Sequence, residues 1–279
     1  MTGSNRAALG LRDGLVVVAM TLLALTTTAP FLWMIATALK SPDQPILDPA
    51  HVLPQPVHWD NFGRAWTEAG LGRAFANSLF TSAAITALTL LTSSLAAFAF
   101  ARLHWRGRDT VFLAYLGTLM VPTAVTLIPL FLVMRELRWI NSYQALVLPA
   151  SFSPYGVFLL RQFFLTIPAE IEEAARLDGC GPLDLYRRIV TPLARPGLAT
   201  LAIFTFLGSW TSFLWPLIVT HRQELFTLPV ALASFQELHS IQWPLLMAGS
   251  VLLTLPMIAA FLLGQRHFIH GIQMGSVKG

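Results

Sequence analysis

Six long stretches of this chain carry no Asp, Glu, Lys or Arg, and that single feature limits what the chain can fold into more than any other. They run between Asp13 and Lys40, from Ala74 to Ala101, Thr110 to Met134, Trp139 to Leu160, Pro196 to His221 and Leu238 to Gln265. A hydrocarbon core about 30 Å thick needs roughly 20 helical residues to cross it. Backbone amides in lipid must pair within their own segment, so each stretch is best satisfied as a helix. Six buried helices of a large soluble protein would leave too few polar residues to cover the outside, because only 11% of the 279 residues are charged. About a quarter is usual for soluble domains. The pattern predicts an all-α membrane protein with six transmembrane helices. Residues 1–13 precede the spans, 14–266 hold them, and 267–279 form a tail.

The net charge of +4 does not point to nucleic acid, because the arginines are not gathered into one basic stripe. Topology explains them better. With the N-terminus in the cytoplasm, the inner segments hold twelve of the eighteen Lys and Arg residues and the outer segments six. The positive-inside rule then predicts both termini in the cytoplasm, N-in and C-in. The apolar stretch after Asp13 is longer than a usual signal-peptide core, so the first span is expected to be retained. A single cysteine, Cys180, excludes an internal disulfide framework.

Between the spans, the segment from Lys40 to Arg73 is polar and dotted with Pro42, Pro45, Pro49, Pro54 and Pro56. It reads as an extended outer loop with a short helix near Asn61 to Trp66. Arg135 to Arg138 reads as a tight outer turn, and Arg222 to Glu237 as an outer loop. Prolines 30, 122, 129, 149, 154, 216, 244 and 256 fall within spans, where each removes a donor and favours a kink or a helix end. Trp33, Trp139, Trp215 and Trp243 are expected at the headgroup level. The second span is rich in hydroxyls, from Ser78 through Ser94 with Asn77 at its outer end, a composition that suits close packing against neighbouring helices.

The inner loop Arg161 to Arg195 is unlike the others. Three acids, Glu170, Glu172 and Glu173, follow Pro168 and crowd the positive end of a helix starting there. Ile171, Ala174, Ala175 and Asp178 have the i, i+3, i+4, i+7 spacing of one face. Gly179 and Gly181 offer stop positions. Pro182 can open a second short helix, Leu183 to Val190, which Thr191-Pro192 would end. The first helix is too short to stand alone in water. Its paired alanines leave a side with little bulk, which fits either a docking knob for a cytoplasmic protein or a helix resting on lipid headgroups.

The spacing Glu173-Ala174-Ala175, Gly179, Ile189 and Pro192, with Asp178 before the glycine, resembles the EAA loop of binding-protein-dependent ABC importer permeases. Thr191 departs from that signature, which usually has leucine there. Pro122, Ile128-Pro129, Asn141-Ser142-Tyr143, Pro149 and the run Phe158 to Phe164 resemble the carbohydrate-uptake branch, and in particular the second permease subunit of maltose-type sugar importers. Trp210-Thr211-Ser212-Phe213 stands where that branch often has Trp-Asn-Glu-Phe. The resemblance implies a type I ABC importer permease fold in the inner membrane, with residues 166–192 as the coupling loop. It assigns ATPase coupling to Glu173, Ala174, Ala175, Asp178, Gly179, Ile189 and Pro192. It also implies an ATPase-facing tail at Gly275, Val277, Lys278 and Gly279. The implied partners are a second permease chain, two ATPase subunits and an extracytoplasmic solute-binding protein, with ATP and Mg held by the ATPases.

The chain itself has no Gly-x-x-x-x-Gly-Lys-Ser/Thr phosphate loop, so no catalytic or cofactor-binding residue is assigned to it. A self-sufficient secondary transporter commonly places ionisable groups within its spans, and here the six stretches hold no acid. A membrane-embedded enzyme would need a catalytic or metal cluster. His104, His221, His239, His267 and His270 are scattered, without metal-ligand spacing.

Overall fold

The computed structural model describes residues 4–46, 52–68, 70–238 and 242–276, which are helical or irregular with no strand among them. Packing divides the chain into two units, 1–71 with 234–252 and 72–233 with 253–279. Among the described residues three helices are long and apolar enough to cross a membrane, at Gly14–Ala38, Leu71–Arg102 and Trp243–Leu263. The first lies within α1 (Ser4–Ala38), and the third opens the helix Trp243–Ser276.

In the first unit, α1 ends against α2 (Asp60–Thr67), the short helix expected near Asn61. The last carbonyls of a helix lack partners within it. Asn61 Nδ2 supplies them, donating to Ala38 O at 2.9 Å and Lys40 O at 2.8 Å. Lys40 is fully buried and donates to Pro45 O at 3.0 Å.

The second unit opens on α3 (Leu71–Arg102), which runs unbroken for 32 residues. The other three expected spans are interrupted, each for a local reason. Residues 110–134 divide into α4 (Arg108–Gly117) with one 3-10 turn and α5 (Thr123–Glu136), bent by 100°. The break is at Val121, held extended at φ −81°, ψ 116°, because a residue before proline is driven out of the helical region. Residues 139–160 divide into α6 (Tyr143–Val147) and α7 (Pro154–Leu165), and Phe152 and Ser153 ahead of Pro154 are extended in the same way. Ser153 Oγ then caps α7, accepting from Gly156 N at 3.0 Å.

The loop that follows holds α8 (Ala169–Leu177), α9 (Pro182–Asp184), a π-helical turn at Leu185–Val190 and α10 (Thr191–Leu193). Residues 196–221 divide into α11 (Arg195–Trp210) and α12 (Leu214–Val219), broken at 211–213, the same place where the sequence departs from Trp-Asn-Glu-Phe. Pro216 falls in the first turn of α12, where its missing donor is no loss. The expected loop 222–237 instead holds α13 (Leu228–Leu238), and α14 (Trp243–Ser276) continues through Pro256.

Two cores organise the described residues of this unit. One, around Phe98, Phe112, Leu160, Phe164, Leu185 and Leu201, joins α3, α4, α7, α11 and the 169–194 segment. The other, around Ile85, Met134, Leu146 and Val219, sits under α5, α6 and α12. Trp139 and Trp215 pack on this second core, and Trp215 Nε1 donates to Ala145 O at 2.8 Å. The indole N–H thereby has the partner that such a group usually finds when buried.

Gly197 fixes how closely α11 approaches α7, since a Cβ there would meet the Phe163 ring at 2.6 Å. Gly197→Ala is therefore expected to lower stability by about 1–3 kcal/mol through overpacking. A drop in the melting temperature of the detergent-solubilised protein is the measurement, and an unchanged temperature would show that the ring has room to move.

Candidate functional site

Helix α8 opens at Ala169 with Pro168 at its N-cap, one position later than a proline inside the first turn. Glu170 and Glu172 lie in its first turn and Arg176 in its last, the charge order the helix dipole favours. It stops at Gly179, whose φ of +87° is open to glycine and strained for other residues. Gly179 N donates to Arg176 O and Cys180 N to Ala175 O, both at 3.0 Å, closing the last carbonyls in a Schellman turn.

Thr191-Pro192 does not end the second segment. Thr191 N bonds back five residues to Tyr186 O, the widened step of a π turn, and the helix runs on to Leu193. Proline usually breaks a helix by lacking the donor for the carbonyl four residues back. Here the ladder has already shifted by one residue, so Pro192 sits in the first turn of α10 and is tolerated.

The predicted coupling residues fall on two sides. Glu173, Ala174, Asp178 and Gly179 are exposed. Ala175 is buried in the α3–α7–α11 core, so its small side chain serves packing inside this chain. Ile189 is partly buried against the same core, and Pro192 is half-buried beside it. Of the tail residues, Gly275 is helical, and Val277, Lys278 and Gly279 lie outside the described residues.

What the sequence did not reveal is how this loop is held. Arg102, the last residue of α3, forms an ion pair with Glu172 at 2.7 Å, with both side chains about nine-tenths buried. The same guanidinium donates to Ile167 O at 2.8 Å and to Phe164 O. One arginine thus ties the end of α7, the turn after it and the start of α8 to α3. A second tie comes from the π turn, where the Tyr186 hydroxyl bonds Ser94 Oγ at 2.7 Å and the Tyr186 ring packs edge-on against Phe98. Ser94, Phe98 and Arg102 are spaced i, i+4, i+8, so a single stripe of α3 grips both halves of the loop. Glu172 could have been suspected from its place three residues before the buried Ala175. Its partner lies 70 residues away in sequence, and no local pattern announces it. Leu177 was also missed, and at 89% exposed it is the most prominent apolar side chain on the outer face of α8.

The opposite end of α3 is tied as firmly. Asn77 Nδ2 donates to Glu224 O at 2.8 Å and Phe226 O at 3.0 Å, and Asn77 Oδ1 accepts from Tyr143 Oη at 2.7 Å. Ser78 Oγ accepts from Leu228 N at 2.7 Å. The hydroxyls of this helix also pack it against its neighbours, as Thr92 Oγ1 donating to Ser151 O at 2.9 Å illustrates. From Asn77 to Arg102 the helix spans about 37 Å at 1.5 Å per residue. It is one rod, fixed at both ends.

Residues 93–272 match the family described as binding-protein-dependent transport system inner membrane component. The chain is similar to the arabinooligosaccharides transport system permease protein AraQ of Halalkalibacterium halodurans, at 41% identity over 227 residues covering 81% of each chain. It is also similar to the lactose transport system permease protein LacG of Rhizobium radiobacter, at 32% identity over 93% of this chain and 94% of that one. Among solved structures, a chain of a bacterial ABC transporter involved in import of the acidic polysaccharide alginate superposes with a TM-score of 0.83. That match covers 96% of this chain and 99% of the other at 21% identity, and it shows a shared fold.

Proposed function

Since the chain belongs to the binding-protein-dependent transport system inner membrane component family, we propose that it is a membrane-spanning subunit of an ATP-driven importer for a sugar or sugar derivative. The relatives transport arabinooligosaccharides and lactose by name, which supports a saccharide cargo here. The chain works with a second permease subunit, two ATPase subunits that bind ATP and Mg, and an extracytoplasmic solute-binding protein. It lies in the inner membrane and crosses it six times, as α1, α3, α4–α5, α6–α7, α11–α12 and α14. Both termini face the cytoplasm, in keeping with twelve of the eighteen basic residues lying on that side.

The observation that carries the mechanism is the ion pair between buried Arg102 and Glu172. Helix α8 offers Glu173, Ala174 and Leu177 to the outside while its back is fixed to α3. When the ATPase pair closes on α8, α3 must follow, because buried charge and hydrogen bonds resist separation. The far end of α3 carries the turn 224–228 and Tyr143 with it. ATP binding thereby biases two arrangements of the helices, and alternating access results.

Cys180, the one cysteine and half-buried beside the Gly179 turn, gives a direct test of orientation. A membrane-impermeant maleimide is expected to label it in inverted vesicles and not in intact spheroplasts. Labelling only from the extracytoplasmic side would remove the loop from the ATPase and overturn the function. A second test uses Gly179→Val in the assembled transporter. A Cβ at this position meets open space, so the change acts through the left-handed φ alone and should loosen the turn by about 1–2 kcal/mol. ATP-dependent uptake is expected to fall severalfold with insertion unaffected.

A further inference from the structure

Between the two tied ends of α3 the second unit borders a half-open cavity of about 550 Å3, within the range of small-molecule sites. The interrupted helices meet around it, since Thr123 follows the break before α5, Pro149 and Ser153 border the one between α6 and α7, and Ser212 lies in the one before α12. Discontinuous helices commonly surround transported solutes in this way.

The walls have a definite chemistry. Hydroxyls come from Thr81, Thr89, Thr126, Thr205, Ser209 and Thr227, and aromatic faces from Tyr155, Phe204 and Trp215. Every described residue lining the cavity is uncharged. Two of the hydroxyls make an independent observation. Thr89 and Thr227 are buried, at 0% and 5% exposure, and their Oγ1 atoms have no hydrogen-bond partner among the described residues. A buried hydroxyl without a partner is costly, and most such groups in proteins are paired. Both residues border the cavity, where a guest could supply the partner they lack.

We propose that this cavity is this chain's part of the solute path and is built for a neutral, polyhydroxylated solute, a short uncharged saccharide, rather than an anionic one. The inference rests on the importer function proposed for the chain and adds the charge class of the cargo. Sugar hydroxyls can both donate to and accept from the threonines and serines, and the apolar C–H face of a pyranose or furanose ring can lie on an aromatic side chain. A uronate or phosphate ester would bring a full charge against a wall whose described residues offer no cation. Desolvating such a charge without a counter-ion costs several kcal/mol. The helix starts at Thr123 and Pro154 add only partial positive potential, and Gly156 N at the second already donates to Ser153 Oγ.

The test uses the complete transporter with its binding protein in proteoliposomes, supplied with ATP and a mixture of short neutral, uronate-containing and phosphorylated saccharides. Internalised solutes are identified by mass spectrometry. Uptake confined to uncharged sugars is expected, and accumulation of a uronate or phosphate ester would overturn the proposal. Absence of any ATP-dependent uptake would instead strike at the importer function, and the proposal would go with it. In the same preparation, Thr89→Val and Thr227→Val replace an unpaired buried hydroxyl by a methyl group, so the fold keeps or gains stability. Each is expected to slow uptake of the neutral solute about three- to tenfold, the loss of one hydrogen bond. Stable, fully assembled variants with wild-type uptake would show that these hydroxyls do not meet the solute.

Discussion

Glu172→Gln in the assembled transporter is expected to abolish most ATP-driven uptake, by at least tenfold, although the residue lies on the face of α8 turned away from any partner. Its carboxylate sits 2.7 Å from Arg102 Nε, and both side chains are largely withdrawn from solvent. Removing one member of a buried pair leaves the other charge uncompensated and costs about 3–5 kcal/mol. Here the penalty falls on the joint between α8 and α3, since the same guanidinium also holds Ile167 O and Phe164 O. The double variant Arg102→Met with Glu172→Leu separates stability from transmission. Replacing a buried ion pair by apolar groups of similar size is often neutral or stabilising, so its melting temperature should recover toward wild type. Uptake should stay low, because the bonds from Arg102 to the loop carbonyls are gone. Recovery of both together would show that the pair contributes stability alone, and the lever described here would be wrong.

Leu177→Glu should have the second largest effect, on assembly. Leu177 is 89% exposed, so its replacement should change this chain's own stability by no more than about 0.5 kcal/mol. Seating that side chain in a partner's cleft would contribute about 1.5–3 kcal/mol, and losing it should weaken ATPase binding by roughly 10- to 100-fold. Co-purification of the ATPase with the membrane subunit reads this directly. Undiminished co-purification, with the protein still in the membrane, would place α8 on the lipid headgroups, the other arrangement its amphipathic sequence allows.

The two predictions differ in how visible their residues are in the sequence. The exposed places of Ala174, Asp178 and Gly179 are legible because a helix face and its terminating glycine follow fixed local intervals. Gly179 has the positive φ that a glycine after a helix suggests, and the short helix α2 forms near Asn61 as its neighbours indicate. Ala175 shows the limit of such reasoning. Its spacing places it beside Ala174, but which of two adjacent alanines turns inward depends on what lies behind, and the answer is the core with Phe98 and Leu185. Pro192 marks the same limit, because a proline's effect depends on the register of the ladder it enters, and the π turn had already changed that register.

The sequence alone determined that the chain is helical and membrane-spanning, because charge-free runs of more than 20 residues have few other satisfactory conformations. It also marked which loop bears the coupling signature, since that signature is local. Only the tertiary structure decided where the spans break, what holds the loop and what the interior offers a solute. The Arg102–Glu172 pair, the Asn77 bonds to 224–226 and the threonines around the cavity join residues far apart in the chain. Such pairings are selected by packing of the whole unit, and hydrophobic periodicity carries no information about which distant partner a buried polar group will find.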